Sequence, residues 1–277
     1  MVVHAHPDDE VFRTAGIQAR YAEAGDRVVV VYATRGEAGD MHLEGVDPEE
    51  AKARLGEIRE EEARVANAIL GPQEIYYLGY RDSGVTDSEE NKRLDAFMNA
   101  PIDEAADRLV AIMRETEPQV VVGYPEGGDY QHPDHAKAHE VVLAAFEKAR
   151  KEPWGPKKLY YTASSRQAFK RYVEGITKLG LKIPWFTEDS NPDDWGGMED
   201  SEITAHVDIA PWAARKKAAL AAHRSQIPAD FFYLSLPDEA FSEYSGVEFY
   251  VRAIPPPEPG EHEDDLFAGL EGREAAA

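Results

Sequence analysis

Two continuous β-branched runs, residues 28–34 (Val-Val-Val-Val-Tyr-Ala-Thr) and 119–124 (Gln-Val-Val-Val-Gly-Tyr), constrain the fold of this sequence more than any other feature. A strand with one face in water alternates apolar and polar residues, whereas an unbroken apolar run signals a strand covered on both faces. Helical patterns flank both runs. Ile102, Ala105, Ala106, Leu109, Val110 and Met113 share one helix face, and Pro118 ends it. Residues 47–70 read as one further helix rich in Glu and Arg, with Asp47 placed to cap its start and Pro48 at its first position. Weaker strand signals lie at 74–78, 158–162 and 203–209, and 212–223 reads as a helix. Alternating strands and helices predict an α/β fold: a Rossmann-like three-layer sandwich with a mostly parallel sheet, plus a smaller C-terminal part.

The organisation expected is a metal-binding core over residues 1–152 and a C-terminal part of the same domain over 153–277, divided near Pro153-Trp154-Gly155-Pro156. Residues 184–200 read as a long irregular loop, and a mobile tail is expected from about 255, where Pro-Pro-Pro-Glu-Pro-Gly begins. The 277 residues suffice for a large core without disulfides, and no apolar run approaches the roughly 20 residues that span a bilayer. The chain opens directly into Val2-Val3-His4-Ala5-His6 with no basic stretch or cleavage site, so a cytoplasmic protein is expected. Asp and Glu outnumber Lys and Arg by 53 to 30, a net charge of -23 that repels phosphate backbones and anionic membranes. Neither nucleic acid nor membrane is therefore an expected partner. The sequence leaves the number of subunits open, a homo-oligomer included. With no cysteine, metal chemistry rests on His, Asp and Glu.

Two clusters follow strands. His4-Ala5-His6-Pro7-Asp8-Asp9-Glu10 ends the first strand and leads into a helix with Val11, Ala15, Ala19 and Ala22 on one face. That rim of an open α/β sheet is where ligands bind, and the turn lacks the glycines that a dinucleotide site needs. Adjacent carboxylates repel each other unless a cation offsets them; the competing reading of Asp9 or Glu10 is a plain helix cap. The second cluster, Gly127-Gly128-Asp129-Tyr130-Gln131-His132-Pro133-Asp134-His135, follows the strand at 119–124, and Ala138, Val141, Val142 and Ala145 mark the helix after it. His135 then falls in the first helical turn and His139 one turn later. A catalytic zinc site takes three protein ligands and keeps one position open, which His6, Asp9 and His135 satisfy. His139 is a second candidate by its i, i+4 spacing. His4 should lie deeper below the rim, and His206 and His223 have no acidic cluster at ligand spacing.

His6-Pro7-Asp8-Asp9-Glu10 paired with His132-Pro133-Asp134-His135 resembles the signature of the PIG-L/LmbE superfamily of zinc-dependent N-deacetylases. Arg54-Leu55-Gly56-Glu57-Ile58, Arg81-Asp82-Ser83-Gly84, Ala222-His223-Arg224-Ser225-Gln226 and Asp265-Leu266-Phe267-Ala268-Gly269-Leu270 are similar to the mycothiol branch, which holds a mycothiol S-conjugate amidase and an N-acetylglucosaminyl-inositol deacetylase. The resemblance implies Zn2+ on His6, Asp9 and His135, with Asp8 as general base. It implies a protonated His132 that steadies the oxyanion or protonates the leaving amine, Asp134 orienting His132, and Tyr130 aimed at the reacting carbonyl. Arg54 and Asp82 would grip sugar or inositol hydroxyls; for Arg54 the alternative is an exposed ion pair on a charged helix. Fe2+ is a second candidate metal, because a two-His, one-Asp site discriminates poorly. Two stretches depart from the branch: Val11-Phe12-Arg13 replaces a small polar segment, and Gly127-Gly128-Asp129-Tyr130 stands where Asn-Gly-Gly-Tyr is usual.

The function expected is metal-dependent hydrolysis of a linear amide on an N-acylated amino sugar, a small-molecule substrate of the mycothiol kind. Alternatives are deacetylation of another N-acetylglucosamine compound and a catalytically silent sugar- or metal-binding protein. The presence of both Asp8 and His132 favours an enzyme, and a metallophosphoesterase would need more ligands than the cluster supplies.

Overall fold

The computed structural model describes residues 1–43, 45–181, 183 and 197–270. Its sheet has seven strands, β1 (Val2–His4), β2 (Val28–Tyr32), β3 (Gln73–Tyr77), β4 (Val120–Gly123), β5 (Lys158–Ala163), β6 (Ala205–Asp208) and β7 (Val247–Ile254), in the spatial order β3-β2-β1-β4-β5-β7-β6. The first five in that order are parallel, and β7 and β6 join antiparallel. The β-branched runs behave as their lack of alternation demands. Val29, Val31 and Val121 pack into the core on one face, under the helices α5 (Ile102–Thr116) and α6 (Pro133–Ala149). Val28, Val30, Val120 and Val122 pack on the other face against Ile17 and Tyr21 of α2 (Ala15–Glu23) and Ala63 of α4 (Leu55–Leu70). The result is the three-layer sandwich.

Two long helices expected from the pattern are broken. Asp47 caps a short α3 (Pro48–Ala53), accepting from the Glu50 N–H at 3.0 Å, and Arg54 then leaves helical geometry at φ -111° before α4 begins. Likewise Thr14, at φ -138°, separates α1 (Asp9–Arg13) from α2, and its hydroxyl lies 2.8 Å from His4 Nε2. A short polar side chain bonded nearby competes with the helical ladder. The C-terminal part adds α7 (Arg166–Lys178), α8 (Ala213–Ala222) and α9 (Asp238–Ser245).

The segment from about 255, expected to be a mobile tail, packs against the sheet through residue 270. Buried Lys158 donates to Glu263 at 2.6 Å and to the Ala268 carbonyl at 2.6 Å. Tyr160 and Arg252 each donate to Glu263 at 2.6 Å, and Leu266 is fully buried. A lysine at the start of an interior strand needs a carboxylate, and the tail supplies it. Residues 271–277, and 184–196 of the expected loop, lie outside the described residues. Among the described residues, no helix is long and apolar enough to cross a membrane.

The position of β1 and β4 sets up the site. From β1 the chain moves outward through β2 to β3, then α5 returns it to β4 on the opposite side of β1, where Val2 pairs with Val122. At such a reversal the connections leave in opposite directions and open a crevice at the carboxyl ends of the strands.

Candidate metal centre

Each cluster identified in the sequence leaves one of those two strands. After β1, Asp8 adopts φ 105°, a conformation that costs a non-glycine residue energy and marks a backbone held by its surroundings. The neighbouring acids hold it. Asp9 Oδ2 accepts from the His6 N–H at 2.8 Å, and Glu10 Oε2 accepts from the Asp8 N–H at 2.9 Å. Both carboxylates thus bond backwards into the turn rather than capping the helix. After β4, Gly128 turns at φ 81°, and a Cβ there would meet His135 Cβ at 2.8 Å, so glycine is required for the loop to lie against α6. His132 caps α6, its Nδ1 accepting from the Asp134 N–H at 3.2 Å.

These turns bring His6, Asp9 and His135 together, all buried, with one potential ligand atom from each within 4.8 Å of the others. His135 Nδ1 lies 2.6 Å from Asp129 Oδ1, which assigns the proton to Nδ1 and the lone pair to Nε2. That Nε2 is buried without a hydrogen-bond partner, 3.2 Å from Asp9 Oδ1. On the opposite ring, His6 Nε2 lies 3.1 Å from Asp134 Oδ2, leaving Nδ1 facing Asp9 Oδ2 at 3.5 Å. In their neutral forms the two imidazoles would turn nitrogen lone pairs onto one carboxylate and repel it; a cation at that point, protons in the metal-free protein or a metal ion, removes the conflict. The donor set therefore fits a divalent metal ion. A second trio, His6, His132 and Asp134, is equally close. It suits a metal less well, because Asp134 is already engaged by the Ser83 N–H at 3.0 Å, the Ser83 hydroxyl and the His6 ring.

Protonation follows the same electrostatics. Burial opposes charge on every member of the group. For His6, the carboxylates of Asp82, Asp134 and Asp9 overcome burial and hold its pKa well above 6.5. For His135, burial is outweighed by Asp9 and Asp129, and the pKa rises to about 9. Asp9 is held well below the usual carboxylate range by His135 and His6 despite its burial. The metal-free protein thus keeps protons on two imidazoles where a divalent ion would place its charge. Asp8 differs: burial pushes it up to about 6, with Arg59 opposing. Its Oδ2 pairs with Arg59 Nη2 at 3.2 Å, outside the His6–Asp9–His135 group but beside it. His132 is lowered to about 4, by burial first and then by the positive charge on His6.

The contacts place four of the residues singled out in the sequence as follows. The Asp134 carboxylate bonds His6 and Ser83 rather than the His132 ring; only its backbone N–H holds His132. Asp82 is buried, with Oδ1 3.6 Å from His6 Nε2 and its oxygens accepting from the Gly84 and Ala38 N–H groups, contacts that brace the His6 side of the group. Arg54 has 62% of its side chain exposed and pairs with Glu57 at 3.0 Å, the surface-pair alternative. His223 does have an acid: its Nε2 lies 2.6 Å from Glu10 Oε1, both side chains fully buried. Tyr130 stands at the opening, 54% exposed, its ring edge-on to His135 at 4.4 Å between centroids. His139 binds the Tyr124 carbonyl through Nδ1 at 2.9 Å and His4 lies against Thr14, so neither joins the group.

Sequence reasoning missed Asp129, Arg59, Glu10 and Ser83. Asp129 carried a signal, a carboxylate in the same loop as a candidate ligand. Arg59 was hidden among the charged residues of α4. Its guanidinium also donates to the Pro7 and Gly36 carbonyls, pinning both sides of the first turn.

An open α/β sheet carrying a buried two-His, one-Asp group at its topological switch point, with an acid of raised pKa beside it, defines a metal-dependent hydrolase site. Residues 1–146 match the family described as GlcNAc-PI de-N-acetylase, PIG-L. The chain is 37% identical over 294 residues to a 1D-myo-inositol 2-acetamido-2-deoxy-alpha-D-glucopyranoside deacetylase of Salinispora arenicola, covering 98% of this chain and 91% of that one. It is 38% identical over 288 residues to a protein of the same description from Streptomyces avermitilis, covering 98% and 96%. Among solved structures it is similar in fold to N,N'-diacetylchitobiose deacetylase of Pyrococcus horikoshii, with TM-score 0.57, 22% identity, and coverage of 97% of this chain and 85% of that one. The chain belongs to the PIG-L family and is a metal-dependent amide hydrolase.

Proposed function

We propose that this enzyme removes the acetyl group from an N-acetylglucosaminyl-inositol in the cytoplasm, water and amide giving acetate and a free amine, with zinc held by His6, Asp9 and His135. The observation that carries the metal assignment is the buried, unpartnered Nε2 of His135 facing Asp9. The substrate assignment follows the relatives from Salinispora arenicola and Streptomyces avermitilis, which cover nearly the whole chain.

When bound, zinc supplies Lewis acidity, lowering the pKa of water from about 15.7 toward about 7 and polarising the amide carbonyl. Asp8 is the base. With its pKa raised to about 6 it accepts a proton from water more readily than an ordinary carboxylate, and Arg59 keeps it in place. His132 acts as a neutral donor rather than the protonated imidazole expected from the resemblance. Because its Nδ1 accepts from the Asp134 N–H, the proton sits on Nε2, free to donate to the oxygen on which negative charge develops. Asp8 then passes its proton to the leaving nitrogen, and Tyr130 covers the opening above His135.

The test is metal analysis of purified protein coupled to an amine-release assay on N-acetylglucosaminyl-inositol, mycothiol conjugates and chito-oligosaccharides. Amine released preferentially from the first supports the reading. Preference for another substrate moves the assignment to that substrate, and no amine from any of them with metal bound would overturn it.

A further inference from the structure

We propose that Arg13 and Asp129 are positioning residues that set the metal affinity of His135, an inference that rests on the metal assignment above. Asp129 Oδ1 accepts from His135 Nδ1 at 2.6 Å, and Arg13 Nε donates to the other Asp129 oxygen at 2.7 Å. Arg13 Nη1 donates in turn to Ser164 Oγ at 2.6 Å, in the turn between β5 and α7. Three segments distant in sequence, α1, the loop after β4 and the end of β5, therefore converge on one ring.

Each link has a chemical consequence. A carboxylate accepting from Nδ1–H fixes the tautomer, directs the lone pair through Nε2 toward Asp9, and strengthens the ring as a ligand. Arg13, tied in turn to Ser164, fixes where that carboxylate stands. Asp129 has 10% of its side chain exposed and Arg13 27%, so water screens the pair only in part.

The experiment titrates full-length metal-free protein with Zn2+ against a chromophoric chelator. Asp129→Asn should weaken zinc binding by roughly 10- to 100-fold, the range for losing such a partner. Arg13→Gln should weaken it by less than about 10-fold in the native background and have no further effect when combined with Asp129→Asn, because it acts through that carboxylate. A residue that merely supports the fold would weaken both backgrounds alike. Native affinity in Asp129→Asn, or an Arg13→Gln effect undiminished in the double variant, would overturn the proposal. If Asp129→Asn fails to fold, Arg13→Gln alone decides: reduced zinc affinity with an unchanged thermal midpoint of the metal-free protein supports the proposal, and unchanged affinity refutes it. Failure of the native protein to bind zinc any better than His135→Ala would instead refute the metal assignment itself, and this inference with it.

Discussion

Two buried charge clusters sit at opposite ends of this molecule's logic. The network that ties the C-terminal segment to the sheet is saturated: Glu263 accepts from Lys158, Arg252 and Tyr160, and Arg252 also pairs with Glu261. Glu248 is equally complete, bonded to Lys216, the Gly16 and Ile17 N–H groups and Tyr250. The cluster between β1 and β4 is unbalanced. Asp8, Asp9, Asp82, Asp129 and Asp134 converge there, with the guanidiniums of Arg59 and Arg13 as their permanent cations and protons on His6 and His135 offsetting two more of the five. Both clusters use the same residue types at similar burial. What separates a brace from a reactive site is whether every acceptor finds a donor within the protein.

The contrast would break most clearly at Asp8. Asp8→Asn should lower kcat by about 1,000-fold, within the range for a general base, while zinc content by elemental analysis stays native. Substantial turnover would return Asp8 to the status of a strained turn residue. At the saturated cluster, Glu263→Ala should cost about 3–5 kcal/mol in urea unfolding, since it leaves Lys158 buried without a carboxylate, while the folded fraction keeps its zinc. Loss of zinc together with stability would show that the two regions are coupled.

Metal removal sharpens the comparison further. In stripped protein the raised pKa of His135 contributes stability that is complete below its unfolded value of about 6.5 and is lost as pH rises through about 9. Thermal unfolding of the metal-free form should accordingly weaken across that window. Zinc at 100 times its Kd should add about 2.7 kcal/mol, and a metal-free protein with no such decline would argue against the protonated apo cluster. The smallest effect belongs to Arg54→Ala, expected to change stability by no more than about 0.5 kcal/mol because its partner Glu57 is equally exposed. Its KM for N-acetylglucosaminyl-inositol is the informative quantity, and a rise at constant kcat would place Arg54 on the substrate.

Legibility in the sequence tracked the range of the interaction. The parallel sheet could be read because Val28 to Val31 face alternate layers that are both apolar. The chemistry-bearing turns could be read because His6, Asp8 and Asp9, or His132 and His135, lie within a few residues of each other at a strand end. β7 could not: its buried positions include Glu248, Tyr250 and Arg252, so hydrophobic periodicity gives no signal where ion pairs take the place of apolar side chains. The packing of the tail was not legible for the related reason that a proline-rich stretch looks unanchored until Lys158 is seen beneath it.

By itself, then, the sequence determined the parallel part of the sheet, the two strand ends that carry the chemistry, and the residue types gathered there, because each depends on composition within one local window. Only the tertiary structure decided which carboxylate serves which imidazole: Asp134 for His6, Asp129 for His135, Glu10 for His223, and Arg59 for Asp8. The reason is physical. A charged group is satisfied by whichever partner the fold brings within about 3 Å, and neighbours in space are set by packing, which for Glu10 and His223 spans 213 positions of chain.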